Sequence, residues 1–169
     1  MPKNVNKASE LKIDYRPEKP YMGIRFQAPF SGMFKQVDLA KRELVKWFKE
    51  REITPGTPPM LRYHVIDMKG EMDLEYCIPI QAPLVGDERV KAGVLPPGHY
   101  VSLIYSGGGL RGNKALIEGA RARGLVFDRW DTEKGDVFRC RYEAYLTDPK
   151  IEPRKTKWDI EVAIKLADQ

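Results

Sequence analysis

A chain of 169 residues with 42% hydrophobic and 10% aromatic content suffices for one domain, or for two small halves sharing a core. Its net charge of +5 comes from 29 basic residues interleaved with 24 acids, without the clustered basic patch or motif of a nucleic-acid binder. No apolar run reaches membrane-span length and the start, Met1-Pro2-Lys3-Asn4, has no apolar signal region, so a cytoplasmic protein without a membrane partner is expected.

Residues 1–18 are polar and proline-bearing and predict a flexible N-terminal arm. Residues 21–27 read as a strand. Over 33–52, Phe34, Val37, Leu44, Trp47 and Phe48 recur at helical spacing, and the prolines of 54–59 end that helix. Residues 60–68 and 72–80 form a strand pair turning near Lys69-Gly70. The stretch 81–97, rich in proline, glycine and charge, reads as a connector. Residues 99–105 are then a strand and 110–123 a helix, with Leu110, Leu116, Ile117 and Ala120 on its apolar side and Gly124 as C-cap. Two final strands cover 137–147 and 157–166. Cys77 and Cys140 each sit within an apolar strand pattern, as free buried thiols do. Ser106-Gly107-Gly108-Gly109 lacks the Gly-Lys-Ser/Thr ending of a phosphate loop, and its glycines suit a tight turn into a helix. No cofactor or metal is expected.

The element order repeats, and so do some residues. Asp73–Ile80 matches 159–166, Arg62-Tyr63-His64 matches Arg141-Tyr142-Glu143, and Ser31-Gly32 matches Ser106-Gly107. The expected architecture is α+β: two strand–helix–strand–strand modules, 19–80 and 98–169, in pseudo-twofold arrangement about a central ligand cleft. Together they form a single domain over 19–169. Leu74, Tyr76, Ile78 and Ile80, with Ile160, Val162, Ile164 and Leu166, form the helix-covered core. Glu143, Tyr145, His64 and Arg62 point toward the seam.

Glu143 stands out because glutamate is depleted in strands. It either pairs with Arg139 or Arg141 on a solvated face or supplies a binding carboxylate at the floor of a cleft. Glu75 and Glu161 read as solvated ion-pair partners or as acids supporting that site. Trp130 either roofs the cleft or packs on its own module.

Four segments together resemble the gyrase-inhibitor-like (GyrI-like) small-molecule-binding superfamily. They are Leu95-Pro96-Pro97-Gly98-His99-Tyr100, Tyr105-Ser106-Gly107, Ile78-Pro79-Ile80 and Tyr142-Glu143-Ala144-Tyr145-Leu146-Thr147-Asp148-Pro149. The resemblance implies an aromatic-lined cleft whose glutamate, here Glu143, attracts amphipathic and often cationic drug-like molecules, for sequestration or sensing. Tyr145, Tyr105, His64 and Trp130 are the other candidate ligand contacts. One similar branch hydrolyses cyclopropane-containing DNA-alkylating toxins, which would make Glu143 and Tyr145 catalytic. A third implied role is inhibition of a topoisomerase through a protein contact. Gly108-Gly109 stands where relatives often carry a Pro-Tyr pair, which favours binding over hydrolysis. With no DNA-binding segment before residue 21, a ligand module rather than a whole transcription factor is expected.

Overall fold

A computed structural model describes residues 8–168. Two helices lie on an antiparallel sheet, an α+β fold. The strands are β1 (Lys12–Arg16), β2 (Lys19–Pro29), β3 (Met60–Ile66), β4 (Glu71–Pro79), β5 (Lys91–Leu95), β6 (Gly98–Tyr105), β7 (Arg129–Thr132), β8 (Gly135–Phe138), β9 (Arg141–Tyr145) and β10 (Ile160–Lys165). Their order across the sheet is β1-β6-β10-β9-β3-β4-β2-β5, and the β7–β8 hairpin attaches to the far end of β3. Within the first half the order is β3-β4-β2; within the second it is β9-β10-β6. The halves meet where β3 pairs with β9.

Helix α1 (Met33–Glu50) buries Met33, Val37, Ala40, Leu44, Trp47 and Phe48, one per turn or nearly so, against the first half. It stops where Glu52 takes a positive φ of 56° and Ile53 N–H donates to the Phe48 carbonyl, just before Pro55. Phe34, expected on the buried face, is instead 47% exposed, because Met33 takes the inward position. Helix α2 (Gly109–Ala122) buries Gly112, Leu116 and Ala120 and ends at Gly124, whose φ of 70° fits glycine and whose N–H caps the Arg121 carbonyl. Leu110, the other expected core residue near a helix start, is exposed.

Both helices cover the same sheet face, since Leu61 of the α1 cluster and Val162 of the α2 cluster each pair with Glu143. The expected helix-covered residues Leu74, Tyr76 and Ile78, with Ile160, Val162, Ile164 and Leu166, are buried there. The opposite face carries a third cluster with Tyr21, Met60, Cys77, Tyr100, Cys140, Tyr142 and Ala144. Cys77 and Cys140 are free and buried.

Three expectations need correction. Residues 12–16 are not a loose arm: β1 pairs along its length with β6; residues 1–7 lie outside the described residues. The connector 81–97 contains β5, paired with β2. The single strand expected over 137–147 is broken at Arg139-Cys140, so that β8 turns to β7 and the end of β3 while β9 runs between β3 and β10. Among the described residues no helix is long and apolar enough to cross a membrane.

Candidate functional site

β9 runs in the gap between the footprints of the two helices, and its helix-side residues are Arg141, Glu143 and Tyr145. Glu143 is 8% exposed. The Tyr63 hydroxyl, from β3, donates to its Oε1, and the Tyr105 hydroxyl, from the end of β6, donates to its Oε2. One phenol thus comes from each half. Burial pushes both phenols well above their ordinary range, and the Glu143 charge pushes them further, so both remain donors.

Glu143 has no ion-pair partner among the described residues. Arg141, two residues away on the same face, donates instead to Asn113 Oδ1 of α2 at 2.7 Å and lies over the Phe138 ring. Burial pulls its guanidinium below its ordinary value. Arg139 sits over Trp130 and 3.6 Å from Asp128. The solvated pairing of Glu143 with these arginines therefore does not form.

Tyr105 reaches Glu143 because α2 presents no side chain at Gly112. A Cβ there would lie 2.4 Å from the Tyr105 ring. Gly112→Ala is accordingly expected to destabilise the protein by roughly 1–3 kcal/mol through overpacking. Helix propensity alone would raise stability by up to about 1 kcal/mol. Urea unfolding reads the sign directly, and a stabilised variant would contradict this packing.

Just beyond Glu143, Tyr145 forms part of the wall of a cavity of about 700 Å³. Tyr76 and Ile78 of β4, Val37 and Asp38 of α1, and Trp158 surround it. The Tyr145 and Trp158 rings meet edge to face at 6.0 Å. Burial pushes the Tyr145 phenol up, with the Glu143 charge adding to it. The rest of the wall is Lys41 and Val45 of α1, the stretch 55–59 before β3, and the connection 146–159, which crosses between β9 and β10 and includes a short 3-10 turn at Lys155–Lys157. The arrangement offers flat aromatic surface and, behind it, a carboxylate held by two neutral donors.

His64 and Arg62 do not join this site. Arg62 pairs with Tyr142 and Glu75, which places it on the opposite sheet face, and His64 Nε2 lies 2.8 Å from Glu75 Oε1 on that side. The expected match of 62–64 to 141–143 was three residues out of step with the strand pairings, which place Tyr63 on Tyr145, and an odd slip exchanges faces. Glu75 is buried rather than solvated, accepting from Tyr21 as well. Its burial favours the neutral acid, but the hydrogen bonds from His64 and Tyr21 outweigh this and hold it below the ordinary carboxylate range. Glu161 is a half-buried partner of Arg16 at 2.9 Å. Trp130 lies in β7 under Arg139 and does not line the cavity.

The sequence marks none of Tyr63, Trp158 and Asn113 as a site residue, and it assigns Tyr76 to the core alone. Tyr63 was recoverable. The strand pairings that place Asp73–Ile80 on 159–166 place Tyr63 on Tyr145, the helix-side aromatic beside Glu143.

No protein-family model and no curated protein matches the sequence. Solved structures do match in fold. The EcmrR C-terminal domain superposes with a TM-score of 0.66 at 17% identity, over 97% of this chain and 99% of that one. The EcmrR chain in a complex with DNA is longer, and this chain spans 59% of it. A hydrolase from Listeria innocua gives a TM-score of 0.61 at 14% identity, over 94% of this chain and 92% of that one. SAV2435, in a structure bound to tetraphenylphosphonium, gives 0.54 at 10% identity over 94% of each chain. The chain shares its fold with the EcmrR C-terminal domain and with SAV2435.

Proposed function

We propose that this protein binds amphipathic, cationic small molecules in the cavity beside Glu143, for sequestration or sensing, with residues 19–169 acting as one ligand-binding unit. The observation that carries this reading is the Glu143 carboxylate. It is buried, held by the phenols of Tyr63 and Tyr105, without an ion-pair partner among the described residues, and, though not itself in the cavity lining, two residues along β9 from Tyr145, which is. A delocalised cation stacked on Tyr145 and Trp158 would bring the missing positive charge while burying its apolar surface. Binding of tetraphenylphosphonium by SAV2435, a fold neighbour, supports the ligand class.

Hydrolysis of a strained electrophile would need Glu143 as base or nucleophile. The phenol hydrogen bonds occupy lone pairs on both carboxylate oxygens and blunt it in either role, so binding takes precedence. Isothermal titration with tetraphenylphosphonium is expected to saturate at a single site. Incubation with cyclopropane-containing alkylators, followed by mass spectrometry, is expected to return them at the rate of a buffer control. Turnover without saturable cation binding would replace this reading with the hydrolytic one.

A further inference from the structure

The sheet face opposite the helices carries a second cavity, of about 430 Å³, which cation binding beside Glu143 does not use. β9 divides the two: Tyr142 and Ala144 line the second, whereas Glu143 and Tyr145 between and beyond them face the helices. The sheet curls around this space because its ends are tied together. β1 stands at one end of the strand order and β5 at the other. Yet β1 runs into β2 through Pro17-Glu18, and β5 into β6 through Pro96-Pro97. Three Cα–Cα steps span at most about 11 Å, so both crossings are short and draw the two ends toward each other. Pro17, Pro20 and Pro96 line the cavity from these crossings, and Met60 and Tyr100 line it from the sheet. Proline fixes its own φ, so this wall loses little freedom when a ligand settles against it.

The polar end of the cavity is a built network. Arg16 donates through Nη1 to Glu161 Oε1 at 2.9 Å and to the Tyr142 hydroxyl at 2.7 Å. Its Nη2 donates to Glu161 Oε2 at 3.2 Å and Ser102 Oγ at 3.0 Å, and its Nε to Asp14 Oδ1 at 3.2 Å. Every nitrogen of the guanidinium is thus engaged, and both Glu161 oxygens accept from it. The charged lining residues also balance, Arg16 and Lys19 against Glu18 and Glu161. Neither an anion nor a cation finds an open partner here. One donor is left over. Tyr142 is 5% exposed; its hydroxyl accepts from Arg16 and donates to no acceptor among the described residues. Burial pushes this phenol up to about 12, so it keeps its proton at neutral pH. Tyr100, whose ring meets Tyr142 edge to face at 6.1 Å, instead donates to the Pro96 carbonyl at 2.7 Å.

We propose that this second cavity binds a neutral, mainly apolar aromatic molecule, and that the Tyr142 hydroxyl donates to one acceptor oxygen on it. The volume lies within the range of small-molecule sites, and apolar walls around a single convergent donor are their usual composition. Met60, Leu95 and Ala144 supply apolar surface, and Tyr100 and Tyr142 supply aromatic surface. A buried hydroxyl without an acceptor is costly, so a ketone, ester or ether oxygen meets a need that a pure hydrocarbon leaves unmet. The site does not depend on the cation-binding reading, because no residue of the Glu143 cluster lines it. The two cavities are sorted by charge: one lies beside an unpaired acid, the other against an ion pair already closed on itself.

The test uses benzophenone, a neutral aromatic ketone, on the full chain. Under ultraviolet light its carbonyl carbon joins a nearby C–H carbon while the hydrogen moves to the ketone oxygen, and peptide fragmentation then locates the adduct. Labelling is expected to saturate, to fall on Met60, Leu95 or Ala144, and to persist in excess tetraphenylphosphonium. Diphenylmethane has the same two rings without the acceptor. Measured by its inhibition of labelling, it is expected to bind about five-fold more weakly than benzophenone, the worth of one net hydrogen bond. Tyr142→Phe is expected to weaken benzophenone by the same factor and to leave diphenylmethane within about two-fold. Labelling that does not saturate, that is confined to Tyr76, Tyr145 or Trp158, or that tetraphenylphosphonium abolishes, would overturn the second site. Equal binding of the two probes by the wild-type chain would overturn the role of Tyr142, and that comparison needs no variant.

Discussion

Glu143→Gln is expected to weaken tetraphenylphosphonium binding by about ten- to hundred-fold. Charge-assisted contacts in partly buried sites are worth roughly 1.5–3 kcal/mol, which converts to that range of dissociation constants. Glutamine keeps the shape and an acceptor oxygen, so one of the two phenols from Tyr63 and Tyr105 retains its partner. The other faces an NH2 group, and that mismatch carries a stability cost of roughly 1–3 kcal/mol. Binding must therefore be measured well below the melting temperature of the variant. A neutral probe of similar shape separates the two effects. If its affinity falls as far as that of the cation, the cavity has been distorted rather than discharged. Unchanged affinity for both probes would leave Glu143 as a structural residue of the sheet, and the fold likeness would then say nothing of function.

Alkaline pH should unfold the protein close to pH 11. Six of the eight tyrosines are buried: Tyr21, Tyr63, Tyr76, Tyr100, Tyr105 and Tyr142. Burial leads the causes that raise each phenol above its ordinary value of 10.0, and Tyr142, whose hydroxyl accepts from Arg16, is pushed up to about 12. A raised pKa in the folded state means that the fold keeps a proton which the unfolded chain gives up above pH 10. The stabilisation is then complete below pH 10 and falls as pH climbs toward the folded values. Each phenol forfeits about 1.4 kcal/mol by pH 11, so these six and Tyr145, whose phenol burial also pushes up, forfeit roughly 10 kcal/mol, comparable with the whole stability of a typical domain. Tyrosinate absorbance should therefore rise in one step together with loss of near-ultraviolet circular dichroism. Gradual ionisation of all eight tyrosines around pH 10 in a still-folded protein would contradict the burial described above.

The elements with unbroken periodicity were readable in the sequence. Both helices, the β3–β4 hairpin, β6 and β10 carry it, and they make up the core of the fold. What escaped is short or edge-placed. β1 reads Lys-Ile-Asp-Tyr-Arg, a charged alternation that only its ladder with β6 turns into a strand. β5 contains Gly93, which argues against a strand until the Tyr21 ring is seen lying across it: a Cβ at Gly93 would stand 2.5 Å from Tyr21 Cζ. At the site, Glu143, Tyr105 and Tyr145 were legible because strand sequence and family-like segment coincide there. His64 was assigned to the wrong face, and Tyr63 overlooked, through three residues of register in the internal repeat. Trp158 and Lys155 belong to a connection whose path no local pattern encodes.

The ladder that joins the two halves is short. β3 and β9 exchange three residue pairs, Met60 with Ala144, Leu61 with Glu143 and Arg62 with Tyr142, whereas β2 and β4 align over nine. Mechanically this is the thinnest weld along the path β1-β6-β10-β9-β3-β4-β2-β5, and the acid of the candidate site lies on it. Its two phenol clasps straddle the same line, one rooted in each half, so Glu143 doubles as a rivet. A molecule that draws on that carboxylate pulls at the joint between the halves, and strain applied there is shared by both. If the cavity binds as proposed, its occupancy would register as a change in the angle at which one half of the sheet meets the other.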